Sequence, residues 1–253
     1  MLKARLNSFS YISDIHLEKY SRDKFRNVKL LEDKKITDTL FLAGDIGNPF
    51  EENYQEFLRI CSYRYENIFL MSGNHEYWNK YGIEKTDEEI RKNLPSNIFY
   101  VKNSIVEMEN AFVLGCVLWS HIIGKEGVGK GDDNILFRGQ PLKQKGLNEL
   151  HRKDVIFLEN SLFNLLDTNK KVIVLTHFAP SYQMCIPKYQ KSPFRNRFYT
   201  NLEHLISNPI TQWICGHSHS TITRTINGVP VSINAGIKYD EHIFNKCKVS
   251  DKS

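Results

Sequence analysis

Metal-binding side chains recur in this chain where hydrophobic runs end: Asp14-Ile15-His16, Gly44-Asp45, Gly73-Asn74-His75-Glu76, His177 and Gly216-His217-Ser218-His219. They offer carboxylate and amide oxygens and imidazole nitrogens, a donor set that suits Mn, Fe, Zn, Ni or Mg, whereas thiolates favour softer or structural sites. Asp14 and His16 alternate, so both can reach one ion if their strand breaks there. Asp45 can bridge two ions through its two oxygens. Asn74 adds a neutral carbonyl oxygen, and His177, His217 and His219 add imidazoles. Together they suffice for two divalent ions sharing one bridge. Two cations roughly 3.5–4 Å apart can clamp an in-line displacement at phosphorus, with a water ionised between them as the nucleophile. The same ions neutralise charge on the non-bridging oxygens. His75 follows Asn74 and is left to face a substrate; protonated, it can donate to the leaving oxygen.

A strand delivers its last residue to one edge of a sheet, and ligands of open α/β sheets collect at the carboxyl edge. Strands are expected at Phe9–Ser13, Thr39–Ala43, Ile68–Ser72, Lys170–Thr176 and Gln212–Cys215, each running into one of the patches above. Helical spacing over Glu51–Arg64, opened by Asn48-Pro49, provides a crossover of the kind parallel strands need. Asn97–Lys102, Ile105–Glu109 and Ala111–Trp119 read as shorter strands, Leu150–Leu166 as a helix and Thr200–Ser207 as helical. Asn227-Gly228 between Thr223–Ile226 and Val229–Ile233 predicts a hairpin with a type I′ turn. Pro230 places its strand at an edge. The tail after Lys238 carries little constraint. With no repeat, heptad or linker, one domain is expected over residues 1–253, with its core at about 9–236.

The 253 residues are 41% hydrophobic and 25% charged, enough to bury a sizeable interior in a soluble protein. No run is long enough to span a membrane, and the amino terminus lacks a long apolar signal segment. The five cysteines are an odd number without CxxC spacing, several in apolar surroundings. They read as reduced, buried thiols, so a cytoplasmic location is expected. A net charge of +5 fits anionic substrates without identifying a nucleic-acid binder.

In order and content, the patches resemble the calcineurin-like metallophosphoesterase superfamily over about residues 9 to 236. The resemblance implies an α/β fold, a four-layer sandwich of two mixed β-sheets flanked by helices, with a dinuclear centre at the sheet edge. It implies that one metal takes Asp14, His16, Asp45 and His219, and the other Asp45, Asn74, His177 and His217. His75 would be the phosphate-contacting acid. Departures narrow the substrate. Gly44-Asp45 continues as Ile46-Gly47-Asn48-Pro49 and lacks the arginine block of the protein Ser/Thr phosphatases. The lipid A-precursor hydrolases carry arginine where this chain has His75. Neither the capping domain nor the coiled-coil insertion of the repair nucleases is visible. Phosphodiesters of small or nucleotide-like substrates lead. A phosphomonoesterase, a nuclease and a non-catalytic protein-binding scaffold stay open.

Other segments are less specific. Glu76 either orients a neighbour or faces solvent. Asn48 can touch substrate or open the helix that follows; His151 and Asp154 open the helix beyond the long loop, where His151 either belongs to the site or is an ordinary packing residue, and His121, His204 and His242 read as surface or packing residues. Ser120–Gly146 is rich in Gly, Lys and Asp and reads as a long functional loop. Within it, Gly124–Lys130 fits the first seven positions of a P-loop, but Gly131 stands where Ser or Thr is needed, so a flexible lid explains the glycines better. From Ile186 to Asn201, Lys188, Lys191, Arg195 and Arg197 interleave with Tyr189, Phe194, Phe198 and Tyr199. This pattern suits either a base-stacking, phosphate-holding stretch or a solvated loop with packed aromatics.

Overall fold

The computed structural model describes residues 2–21, 37–92, 94–125, 127–187 and 190–236. The tail after Lys238, with His242 and Cys247, lies outside the described residues, as do Lys188 and Tyr189.

One sheet holds β1 (Phe9–Ile12), β2 (Thr39–Ala43), β3 (Asn67–Met71) and β4 (Ile98–Tyr100), in that order and parallel throughout. Helix α1 (Glu52–Arg64) returns the chain from β2 to β3, and α2 (Ile83–Lys92) from β3 to β4. The resemblance implied two mixed sheets, but this one has no antiparallel pair among its described strands. The connections from β2 to β3 and from β3 to β4 are helical crossovers rather than hairpins, which forces parallel pairing.

The second sheet is mixed. It holds β5 (Ser104–Glu107), β6 (Ala111–Cys116), β9 (Lys171–Thr176), β10 (Ile210–Cys215), β11 (Thr221–Ile226) and β12 (Val229–Asn234), in the order β11-β12-β10-β9-β6-β5. The inner pairs are parallel, and hairpins add β5 and β11 at the edges. A ribbon of β7 (Leu136–Phe137) and β8 (Gln140–Pro141) precedes α3 (Gln144–Asn164).

Side-chain alternation stacks these parts into four layers. Phe41, Ala43, Phe69 and Met71 point inward from the parallel sheet and meet Val113, Ile173, Leu175 and Ile214 of the mixed sheet. On the opposite face Leu40, Leu42, Ile68 and Leu70 pack under Tyr54, Phe57, Leu58 and Cys61 of α1. Leu114, Val172, Val174 and Trp213 pack under Leu158 and Leu162 of α3.

Several boundaries differ from the sequence reading. α3 starts at Gln144 rather than Leu150, because Gln144 and Asn148 donate to the Ile122 carbonyl and anchor the first turns. Thr200–Ser207 contains only a 3-10 turn, Glu203–Leu205. Asn227 and Gly228 adopt φ of 50° and 84°, as a type I′ turn requires. The strand of Pro230 is interior, between β11 and β10. Pro230 pairs with Thr225 and lies one residue before the β10 ladder begins at Val231, so its missing N–H interrupts no bond there. Cys61, Cys116, Cys185 and Cys215 are buried free thiols. No helix among the described residues is long and apolar enough to cross a membrane.

Candidate metal centre

The ends of β1, β2 and β3 lie against those of β9 and β10, with the backbones in direct contact. Asp14 N donates to the Gly44 carbonyl at 2.9 Å within one sheet and Gly216 N to the His177 carbonyl at 2.8 Å within the other, and across the seam Gly216 lies so close to Ser13 and the Ala43 carbonyl that a Cβ there would overlap them. Gly73 sits where a Cβ would overlap the Asp45 carboxylate and the His177 ring, so only glycine fits. Nine described non-glycine residues have positive φ, and five of them are candidate ligands: Asp14 (55°), His16 (57°), Asp45 (53°), His217 (65°) and His219 (50°). L-residues pay roughly 1–2 kcal/mol for this region, and such strain clusters at functional sites. Here it turns each side chain away from its strand and into the seam between the sheets.

Ligand atoms of Asp14, His16, Asp45 and His219 all lie within 4.8 Å of one another, as do those of Asp45, His177 and His217. Asp45 belongs to both groups. Asn74 joins the second, its Oδ1 lying 3.2 Å from His177 Nε2 and 3.1 Å from His217 Nδ1. Every metal-ligand candidate is therefore gathered at one place.

The carboxylates are held in a telling way. Asp14 Oδ2 accepts from the Ser13 hydroxyl and from His217 N. Asp45 Oδ1 accepts from His75 N at 2.8 Å. Asp14 Oδ1 and Asp45 Oδ2 are buried without a hydrogen bond. The nitrogens nearest them are His219 Nε2, 3.5 Å from Asp14, and His177 Nε2, 3.4 Å from Asp45. Imidazole nitrogens also face each other, at 3.3 Å for His16 with His219 and 3.3 Å for His177 with His217. Buried lone pairs converging in this way are unfavourable unless a cation lies among them, so the donor set fits divalent metal.

Outer partners set the remaining orientations. His177 Nδ1 donates to the Ala43 carbonyl at 2.8 Å, leaving Nε2 for the centre. Glu76 is fully buried and accepts from the backbone N–H of Asp45 (3.0 Å), Ile46 (2.7 Å) and Gly73 (2.6 Å). It ties the two turns together and does not face solvent. Burial would raise the Asp45 carboxyl, but His177, His75 and His16 hold it well below the usual range. Burial likewise works against charge on His177, yet Asp45 and Asp14 lift it to about 9. Burial pushes Asp14 up to about 6 and, with the nearby histidines, His219 down to about 4.

The sequence reading missed three contributors. Glu18 Oε1 lies 2.9 Å from His16 Nδ1 and 3.1 Å from His75 Nδ1. The signal was the step His16-x-Glu18 in a short 3-10 turn, Leu17–Lys19. Trp78 stacks on His75, ring centroids 3.6 Å apart. Asp132 Oδ1 accepts from Asn74 Nδ2 and from Trp78 Nε1, each at 2.8 Å, and so turns the Asn74 oxygen towards His177 and His217. Gly131, at φ 98°, lets the chain pass where a Cβ would overlap the Trp78 indole. No nucleotide-cradling helix follows Gly124–Lys130; the 3-10 turn Asp132–Asn134 does.

A cleft of about 520 Å³ opens over the centre. Trp78, Gly129 and Lys130 border it on one side, and Ser192, Phe194, Arg197 and Phe198 on another. Both irregular segments thus reach the site. His151 and Asp154 do not: His151 Nδ1 bonds the Trp119 carbonyl, and Asp154 accepts from Leu118 N and Asn103 Nδ2. His121 and His204 are exposed. Asn48 Oδ1 accepts from Phe50 N in a turn just before α1, whose capping residue is Glu51.

The chain belongs to the calcineurin-like phosphoesterase family, whose model matches residues 9–221. It is 27% identical over 266 residues to an uncharacterized protein of Acanthamoeba polyphaga mimivirus, covering 93% of each chain. In fold it is similar to the phosphopantetheinyl hydrolase of Mycobacterium tuberculosis, with a TM-score of 0.68, 16% identity and coverage of 95% of this chain and 93% of that one. A dimetal phosphatase from Danio rerio superposes with a TM-score of 0.53 at 13% identity, covering 96% of this chain and 89% of that one.

Proposed function

We propose that this chain is a single-domain, dinuclear metal-dependent hydrolase that prefers phosphodiesters of small, nucleotide-like substrates and works in the cytoplasm. The observation that carries the reading is Asp45, shared by two ligand groups with one buried oxygen unsatisfied. Asp14, His16, Asp45 and His219 would hold one ion, and Asp45, Asn74, His177 and His217 the other. When bound, such a pair acts as Lewis acid and lowers the pKa of water. Support for the reading also comes from the fold neighbours, described as a hydrolase and a dimetal phosphatase.

The protein's own groups carry the rest. In hydrolysis a water oxygen bonds to phosphorus, the ester P–O bond breaks, and a proton reaches the leaving oxygen. His75 is suited to supply that proton. Burial works against its charge, but Glu18 and Asp45 outweigh burial and raise its pKa, which favours the protonated form. Glu18 occupies Nδ1, which leaves Nε2 for the substrate. Asp45 takes the His75 backbone N–H and so fixes the distance between acid and centre.

The test is hydrolysis of bis-p-nitrophenyl phosphate beside p-nitrophenyl phosphate by apo-protein reloaded with Mn, Fe, Ni, Zn or Mg. Metal-dependent diester cleavage, lost in Asp45→Asn and weakened in His75→Ala, is expected. Activity on the monoester alone would make the protein a phosphatase. A folded protein that turns over neither with any metal would be a scaffold.

A further inference from the structure

The cleft is larger than one phosphate needs. Its volume of about 520 Å³ falls within the range of pockets that enclose whole small ligands. Two carboxylates, Asp45 and Asp132, line it. Asp45 belongs to the metal-ligand groups, and Asp132 is engaged by Asn74 and Trp78. Two cations line it as well, and they come from opposite irregular segments: Lys130 and Arg197. The Arg197 guanidinium lies 4.4 Å over the ring of Phe194, which is itself 46% exposed. A guanidinium placed over an aromatic ring is steadied by cation–π attraction and presents a fork that suits a phosphate group, and lysine adds a point charge.

We propose that the cleft takes nucleotides carrying two phosphates: the ester being cleaved, over the metal ligands, and a second, seated between Lys130 and Arg197. The sugar and base lie along the apolar wall that Phe194 provides. The second phosphate is a specificity element and takes no part in bond breaking. This rests on the phosphoesterase reading above and adds the substrate class to it.

The test compares two chromogenic esters that differ by one phosphate, thymidine 5′-(p-nitrophenyl phosphate) and the same compound bearing a 3′-phosphate. Charged hydrogen bonds to the added group should raise kcat/KM by about tenfold or more. The ratio should shrink as salt rises and fall to about one in Lys130→Ala/Arg197→Ala, checked for folding by circular dichroism. A ratio near one in the native protein, or a high ratio that survives both substitutions, would overturn the proposal. If neither ester releases nitrophenol with any metal, the phosphodiester reading fails on its own. Calorimetry then decides the subsite: thymidine 3′,5′-bisphosphate should bind at least about tenfold tighter than thymidine 5′-monophosphate, and equal affinities would sink it.

Discussion

One carboxylate oxygen of Glu18 sits 3.1 Å from Nδ1 of His75, and the same oxygen lies 2.9 Å from His16 Nδ1. A single acceptor therefore fixes the ring of a metal-ligand candidate and the ring of the expected acid. The arrangement explains why the Glu18 carboxyl is lowered to about 2: burial opposes ionisation, but both histidines favour it. In Glu18→Gln the charge is gone while the shape remains. Acid catalysis contributes about 10²–10⁴-fold where the leaving oxygen needs a proton. Esters of poor leaving groups should thus slow by about tenfold to a hundredfold, and nitrophenyl esters only slightly. A leaving-group series checks this, and a uniform loss along it would refute the acid role.

Asp132 links the loop after β6 to the centre through two 2.8 Å hydrogen bonds. Asp132→Ala should weaken metal binding by about tenfold to a hundredfold, the usual effect of losing an outer partner. It should also free the Trp78 indole. Trp119 and Trp213 are buried, whereas Trp78 is 40% exposed, so acrylamide quenching reports chiefly on Trp78. Quenching should rise in Asp132→Ala and stay near native in Asp132→Asn, whose amide oxygen still accepts. Unchanged quenching and metal titration in the alanine variant would remove Asp132 from this role.

The left-handed backbone of the candidate ligands bears on stability. His219 has φ 50° and a side chain 44% exposed, so its ring contributes little packing. His219→Gly relieves backbone strain while adding freedom to the unfolded chain, and these terms nearly cancel. Urea denaturation of the apo-protein should show a change within about 1 kcal/mol, while metal affinity drops. A large destabilisation would mean that the ring supports the fold.

His151 makes the stability pH-dependent away from the centre. Burial lowers its pKa to about 4, with the Trp119 carbonyl partly offsetting that. The unfolded chain binds this proton at about pH 6.5 and the folded chain only near 4, so stability is full above 6.5 and declines as pH falls towards 4. Between pH 7.5 and 5 the native protein should lose about 2 kcal/mol more than His151→Gln. Parallel urea curves with no excess loss would contradict this.

Much of the site was legible because its residues sit at predictable places. A strand that breaks after an apolar run exposes its next residues at the sheet edge, and β1, β2, β3, β9 and β10 all end that way. What escaped acts across the fold or leaves a faint pattern. Asp132 lies in an irregular stretch, and nothing local shows that it reaches Asn74, 58 residues earlier. α2 buries only Ile83, Thr86 and Ile90 among charged neighbours, so its apolar stripe is thin. Pro230 argued for an edge strand, because sequence does not reveal how far a neighbouring ladder extends.

The candidate metal ligands are drawn from both sheets, and the backbone N–H of His217 reaches Asp14, 203 residues away. Neither sheet alone supplies a complete candidate ligand group. A half-formed protein with one sheet assembled would present only part of each group, Asp14, His16, Asp45 and Asn74 from one sheet or His177, His217 and His219 from the other, and capture ions weakly. Tight ion uptake can begin only once the last strands have docked, so loading with metal would serve as a timestamp for the end of folding, and chelation would act first as a crowbar between the two sheets.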